Sequence, residues 1–92
     1  MNNWSHVAYR DFWDVPRMVI AKRGEETFLF YSRFDEAADS HTDHYEVWVM
    51  PSLTEERLQS SWLGLENMAL SRLPNVGIHD LPFVVPLRGQ HV

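Results

Sequence analysis

The sequence predicts an α+β domain in which one helix packs on a small antiparallel sheet, in the order β-β-β-α-β. Three stretches rich in β-favouring residues, one capped stretch of helical periodicity and a last alternating stretch predict this class. Both faces of the predicted strands are substantially apolar, so both need cover. Closure into a partly open barrel is one arrangement that supplies it, and a covering helix or a dimer are others.

Length and composition indicate one small domain. The chain has 92 residues, 45% of them hydrophobic and none of them cysteine. We therefore expect residues 1–92 to form a single domain without a disulfide framework, a thiol nucleophile or a cysteine zinc site. No apolar run approaches the roughly 20 residues of a membrane-spanning helix. The first residues lack the basic flank and apolar stretch of a signal peptide, which predicts a cytoplasmic protein.

The net charge of the chain indicates which classes of binding partner are expected. Eight Arg and Lys residues oppose thirteen Asp and Glu residues, for a net charge of −5. Nucleic-acid and anionic-membrane binding depend on basic patches, and no three basic residues lie close together here. The sequence thus predicts no nucleic-acid partner and no membrane partner, and leaves a basic protein partner open.

The first two predicted strands are residues 12–21 and 27–34, which a turn at Gly24 connects. Arginine disfavours a positive φ, so a three-residue loop with Gly24 in the left-handed region is expected. That loop places Ala21 opposite Glu25. The resulting register puts Met18, Phe28 and Phe30 on one face and Val19, Leu29 and Tyr31 on the other.

A third strand and a helix are predicted next. Residues 45–50 alternate, with Tyr45 and Val47 on one face and Trp48 on the other. The helix is expected over residues 52–73, because Ser52-Leu-Thr-Glu55 matches a capping box and Pro74 follows. Its predicted buried stripe is Leu58, Trp62, Leu65 and Ala69, widened by Leu63, Leu70 and Leu73.

A fourth strand is predicted over residues 78–87. Its odd positions are apolar, whereas Pro82 and Pro86 both occupy even positions. Two missing amide donors along one side are typical of a strand at a sheet margin, so we expect an edge strand.

Residues 34–44 form an acidic loop, the most chemically suggestive stretch of the chain. Carboxylate and imidazole groups of this kind can hold a divalent metal ion. The candidate ligands are Asp39, His41, Asp43 and His44. The alternatives are a solvated loop and a pH-sensitive loop, in which protonation of both histidines lowers the local negative charge.

Residues 1–11 begin an aromatic N-terminal segment. Trp, Tyr and Arg are enriched at the energetic centres of protein interfaces, which makes this segment a candidate partner-binding surface. The alternative is that it folds back to cover a small core. The candidate partner-binding residues are Trp4, Tyr9, Arg10, Phe12 and Trp13.

No spacing in the sequence predicts a catalytic site or a cofactor. Asp11 and Asp14 would lie on opposite faces of an extended segment, and the four glycines form no phosphate-binding loop. The sequence therefore predicts a small acidic non-catalytic domain that acts through protein–protein contacts and self-associates as a homodimer. A metal- or small-ligand-binding domain, or a small enzyme, that uses loop 35–46 is the alternative.

Overall fold

Alternating β-favouring residues build most of the chain into antiparallel sheet. The structure is a computed structural model, and it describes residues 4–12 and 16–83. One five-stranded sheet has the order β1-β2-β3-β6-β7, and a two-stranded hairpin, β4-β5, lies between β3 and β6 along the chain. The strands are β1 (Trp4–Phe12), β2 (Pro16–Arg23), β3 (Glu26–Tyr31), β4 (Phe34–Asp35), β5 (Ser40–His41), β6 (His44–Met50) and β7 (Ser71–Gly77).

The predicted α+β class is wrong, because the described residues are mostly β sheet. The only regular helices among them are α1 (Glu55–Gln59) and one 3-10 turn (Leu65–Met68). Every neighbouring pair in the large sheet is antiparallel, and the strands follow one another as a meander that the β4-β5 hairpin interrupts. Among the described strands, β1 and β7 lie at the two ends of the sheet order.

The central strands β2, β3 and β6 contribute buried apolar side chains to both faces of the sheet. The sequence predicts this, because apolar residues occur on both faces of these strands. The first face carries the cluster of Val19, Ala21, Phe28, Phe30, Tyr45, Val47 and Phe83. The second face carries Met18, Ile20, Leu29, Met50, Trp62 and Leu65. The predicted alternation of β6 is confirmed, since Tyr45 and Val47 lie on the first face and Trp48 packs on the second. Each face is covered by chain segments outside the three central strands.

The hairpin between β2 and β3 confirms the predicted positive φ of Gly24 but not the predicted loop length or register. Gly24 has a φ of +61°, and Arg23 pairs with Glu26, so the loop has two residues. A glycine of positive φ at the first loop position is typical of a type II′ turn. Because β2 continues through Arg23, Ala21 lies opposite Phe28 rather than Glu25. Val19 therefore shares a face with Phe28 and Phe30, and Met18 does not.

The predicted helix over residues 52–73 is also wrong. The helix has five residues, Glu55–Gln59, and its cap is Thr54, whose hydroxyl accepts from the Arg57 amide. The Leu58 carbonyl accepts from the Trp62 indole at 2.9 Å and from the Arg10 guanidinium at 2.7 Å. A longer helix would use that carbonyl for a backbone amide, so these side chains compete with helix extension. No helix in the described part of the chain is long and apolar enough to cross a membrane.

Much of the predicted helix stripe is nevertheless buried. Trp62 and Leu65 belong to the second-face cluster, and Leu58 and Ala69 pack against it. Gly64, with a φ of +75°, turns the chain between Trp62 and Leu65. The spacing predicted these inward-facing residues correctly, but they lie in a short helix, a loop and a 3-10 turn instead of one long helix.

The predicted edge strand over residues 78–87 is not present in its described part, since residues 78–83 form turns and bends. Residues 84–87 lie outside the described residues. Pro74 instead lies in β7, at one end of the described sheet order, where the pairing with β6 has a register shift. Proline is tolerated at sheet edges and bulges because it has no amide to donate to a ladder. Pro74 therefore lies in a strand and does not terminate a helix.

We expect replacement of Gly24 by Ala to lower the free energy of unfolding by about 1 kcal/mol, because a Cβ disfavours the left-handed region. No atom lies within 4 Å of a Cβ built at Gly24, so the cost comes from the backbone alone. Equilibrium urea unfolding measures it. Gly24→Asn is the control, since Asn tolerates this region better than Ala. Equal losses in the two variants, or no loss, would contradict this origin.

Candidate functional site

The acidic loop folds as a short exposed hairpin. Phe34 pairs with His41 and Asp35 pairs with Ser40, and the turn between them spans residues 36–39. The Asp35 carboxylate accepts the Ala37 amide at 3.0 Å, a local turn contact that Asp commonly makes. The Phe34 and His41 rings meet edge to face at 5.2 Å. The hairpin is thus held by its own local contacts.

The four candidate metal ligands are distributed along this hairpin and the residues after it. His44 Nδ1 lies 3.4 Å from an Asp43 carboxylate oxygen, whereas His41 contacts Phe34. Among the described residues, no group of three or more His, Cys, Asp or Glu side chains is placed to hold a metal ion. Asp39 has a φ of 52° at the end of the hairpin turn, which accounts for an Asp there through backbone conformation. The metal site stays a prediction.

The described part of the aromatic N-terminal segment lies in strand β1. Trp4 packs on the first-face cluster, with its ring 5.3 Å from Phe28 and 5.2 Å from Phe83. Tyr9 packs on the same cluster, and burial raises the pKa of its phenol. These two candidate partner-binding residues therefore cover the core. Of the other candidates, the Phe12 side chain and Trp13 lie outside the described residues.

Arg10 lies at a cleft of about 330 Å³ at one end of the second face, beside Met18, Tyr31, Trp62 and Leu63. Its guanidinium lies 4.5 Å from the Trp62 ring centroid and donates to the Leu58 carbonyl. Arg10 is exposed, but these contacts hold it against Leu58 of α1 and Trp62 of the following loop. It therefore connects strand β1 to this part of the chain.

The loop between α1 and β7 carries three exposed apolar side chains, Leu63, Met68 and Leu70. Their exposures are 88%, 42% and 70%, whereas the neighbouring Trp62 and Leu65 are buried. We call Leu63, Met68 and Leu70 the loop surface. The helical spacing in the sequence predicts Leu63 and Leu70 in a buried helix stripe, so their exposure differs from that prediction. Gly64, in the middle of that stripe, was the available signal that the helix breaks and that apolar residues point outward.

An ion-pair network fixes this loop to the sheet. Arg33 Nε lies 2.6 Å from a carboxylate oxygen of Glu46 in β6, and another guanidinium nitrogen lies 3.2 Å from Glu66 in the 3-10 turn. The two carboxylate side chains are only 13% and 15% exposed. The hydrogen bond to Glu46 is the main cause that raises the pKa of Arg33. Arg33 thus neutralises Glu66 and holds the loop that presents the loop surface.

Comparison with known proteins finds no matching family model, no matching curated protein and no matching solved structure. The functional argument therefore depends on the geometry of this chain. That geometry gives an acidic hairpin, a core-covering β1 and an outward apolar loop surface.

We expect Arg33→Met to lower the free energy of unfolding by about 1–3 kcal/mol, because it leaves two largely buried carboxylates without their cation. Urea unfolding measures the loss. Adding Glu46→Gln and Glu66→Gln should recover part of it, since the uncompensated charge is then removed. Arg72→Met, at an exposed residue of β7, is the control. A similar loss in the control, or no recovery in the triple variant, would contradict this role of Arg33.

Proposed function

We propose that this chain is a non-catalytic domain that acts through protein–protein contacts and self-associates through the loop surface. The observation that carries the proposal is the concentration of exposed apolar side chains at Leu63, Met68 and Leu70. These three exposed side chains lie within eight residues of the sequence, and clustered exposed apolar side chains are typical of interaction sites, whereas single ones are common on any surface. A second copy of this chain is the occupant that we propose.

Charge supports a second copy at this surface. Two copies of a chain of net charge −5 repel each other over most of their surfaces. Residues 58–71 contain one charged side chain, Glu66, and Arg33 lies 3.2 Å from its carboxylate. Two copies can therefore approach through this segment with little like-charge repulsion. A symmetric contact would place the loop surface of one copy against that of the other.

The position of the loop also favours a preformed interface. Trp62 and Leu65 bury one side of the loop in the second-face cluster, and Arg33 holds it through Glu66. A loop anchored in this way loses little conformational freedom when a partner binds, which favours affinity. We also propose a cytoplasmic location, since two hydrophobic clusters stabilise the fold without disulfides, as a reducing compartment requires.

We expect the double variant Leu63→Ser, Leu70→Ser to weaken self-association at least tenfold, because both side chains lose their apolar contact area. Sedimentation velocity over a concentration series measures the dimer dissociation constant. The melting temperature should change little, since both side chains are exposed.

Phe34→Ser is the matched control, because Phe34 is an apolar side chain of 50% exposure in the acidic hairpin, outside the loop surface. It should leave the dissociation constant unchanged. A monomeric parent chain at the highest concentration would overturn the proposal, as would equal weakening by Phe34→Ser. Dissociation by added salt alone would instead indicate a charge-mediated contact.

A further inference from the structure

A second apolar concavity lies on the first face, away from the loop surface. It is a groove of about 310 Å³ whose lining includes Trp4 of β1 and Leu73 of β7. Its floor is formed by Phe28, Phe30 and Val47 of the buried cluster, and its walls include Trp4 and Leu73. Small-molecule sites are commonly apolar, aromatic-lined concavities from about 300 Å³ upward. The groove therefore has the lining and the size of a site for a small ligand.

Arg23, at the end of β2, is the one charged residue among the described residues that line this groove. Its guanidinium carbon lies 5.2 Å from the Trp4 ring centroid and 5.3 Å from that of Phe28. Guanidinium groups stack on aromatic faces and keep their N–H donors in the guanidinium plane. The two rings thus hold a cation at the groove while its donors stay available to an anion.

The existing partner of Arg23 is weak. One guanidinium nitrogen lies 3.6 Å from the Glu26 carboxylate, and the side chains are 49% and 60% exposed. An exposed pair at this separation contributes little stability, because water competes with it. A ligand carboxylate with an apolar body on the groove floor can replace Glu26 at Arg23.

We propose that this groove binds a small apolar carboxylate of the medium-chain fatty acid type. The hydrocarbon part lies on Phe28, Phe30 and Val47, and the carboxylate accepts hydrogen bonds from Arg23. A neutral ligand of the same length lacks the charge-assisted hydrogen bond, and a cationic one is repelled by Arg23. The small volume favours a free carboxylate over a folded protein partner. This site is separate from the loop surface and does not depend on self-association.

Octanoate is the test ligand, octan-1-ol is its neutral counterpart, and isothermal titration calorimetry measures both. The parent chain should bind octanoate more tightly than octan-1-ol. Arg23→Gln should weaken octanoate binding tenfold or more, because it removes a charge-assisted contact, and should leave octan-1-ol binding within twofold.

Lys22→Gln is the matched control. It makes the same charge change one residue away, but Lys22 lies on the second face beside Ile20 and Leu53. Its octanoate affinity should equal that of the parent chain. No octanoate binding, an equal loss in both variants, or equal affinities for octanoate and octan-1-ol would each overturn the proposal.

Tryptophan fluorescence locates the ligand. Of the described tryptophans, Trp4 lines the groove, whereas Trp48 and Trp62 pack on the second face. Octanoate should change the emission of the parent chain, and Trp4→Phe should abolish that change while calorimetry still detects binding. A fluorescence change that persists in Trp4→Phe would place the ligand elsewhere and overturn the assignment. The Leu63→Ser, Leu70→Ser variant should bind octanoate normally, which separates this outcome from that of self-association.

Discussion

Burial of the central strands on both faces is the constraint on which the rest of the structure depends. Successive residues of a strand point to opposite faces, and β2, β3 and β6 place apolar side chains in the clusters on both faces. A sheet of this kind is stable only when other segments cover each face. Trp4 and Phe83 supply cover on the first face, and Trp62 and Leu65 supply it on the second. The N-terminal strand and the loop before β7 are therefore structural, whatever they also bind.

The sequence predicts what depends on local pattern and fails where distant segments decide. Strands β2, β3 and β6, the left-handed Gly24 and the inward-facing Trp62 and Leu65 all follow from spacing and residue type. The predicted long helix does not form because Arg10, far away in the chain, and the Trp62 indole both donate hydrogen bonds to the Leu58 carbonyl. The predicted register between β2 and β3 is wrong because β2 continues to Arg23. There Arg23 pairs with Trp4 of β1 and lies over its ring. The sequence does not predict strand β1, because a register shift between Ser5 and Ala8 interrupts the alternation of inward and outward side chains along it.

Composition was a poorer guide to the candidate sites than geometry. The acidic loop has the donors that a metal prefers, but in the described part of the chain no group of three or more of them is placed to hold a metal ion. The groove could not be predicted, because Trp4, Arg23 and Leu73 meet only through the order β1-β2-β3-β6-β7 and the path of the sheet. Exposure of Leu63 and Leu70 depends in the same way on where the chain turns at Gly64. A site built from several strands can be predicted only when the register between those strands is known. In this chain the register depends on contacts between segments that are distant in the sequence.

Arginine side chains stacked on aromatic rings occur at both proposed sites, the loop surface and the groove. Seven of the eight basic residues are Arg, and among the described residues Arg10, Arg23, Arg33 and Arg72 lie against aromatic rings. The pairs are Arg10 with Trp62, Arg23 with Trp4, Arg33 with Tyr31 and Arg72 with Trp48. A guanidinium can stack on a ring and still donate from its edge, which a lysine ammonium does less well. Arg33 uses that second capacity on Glu46 and Glu66, and so holds the loop surface. Arg23 has the same stacked arrangement but only a weak exposed partner in Glu26, so its donors remain available to an anion in the groove.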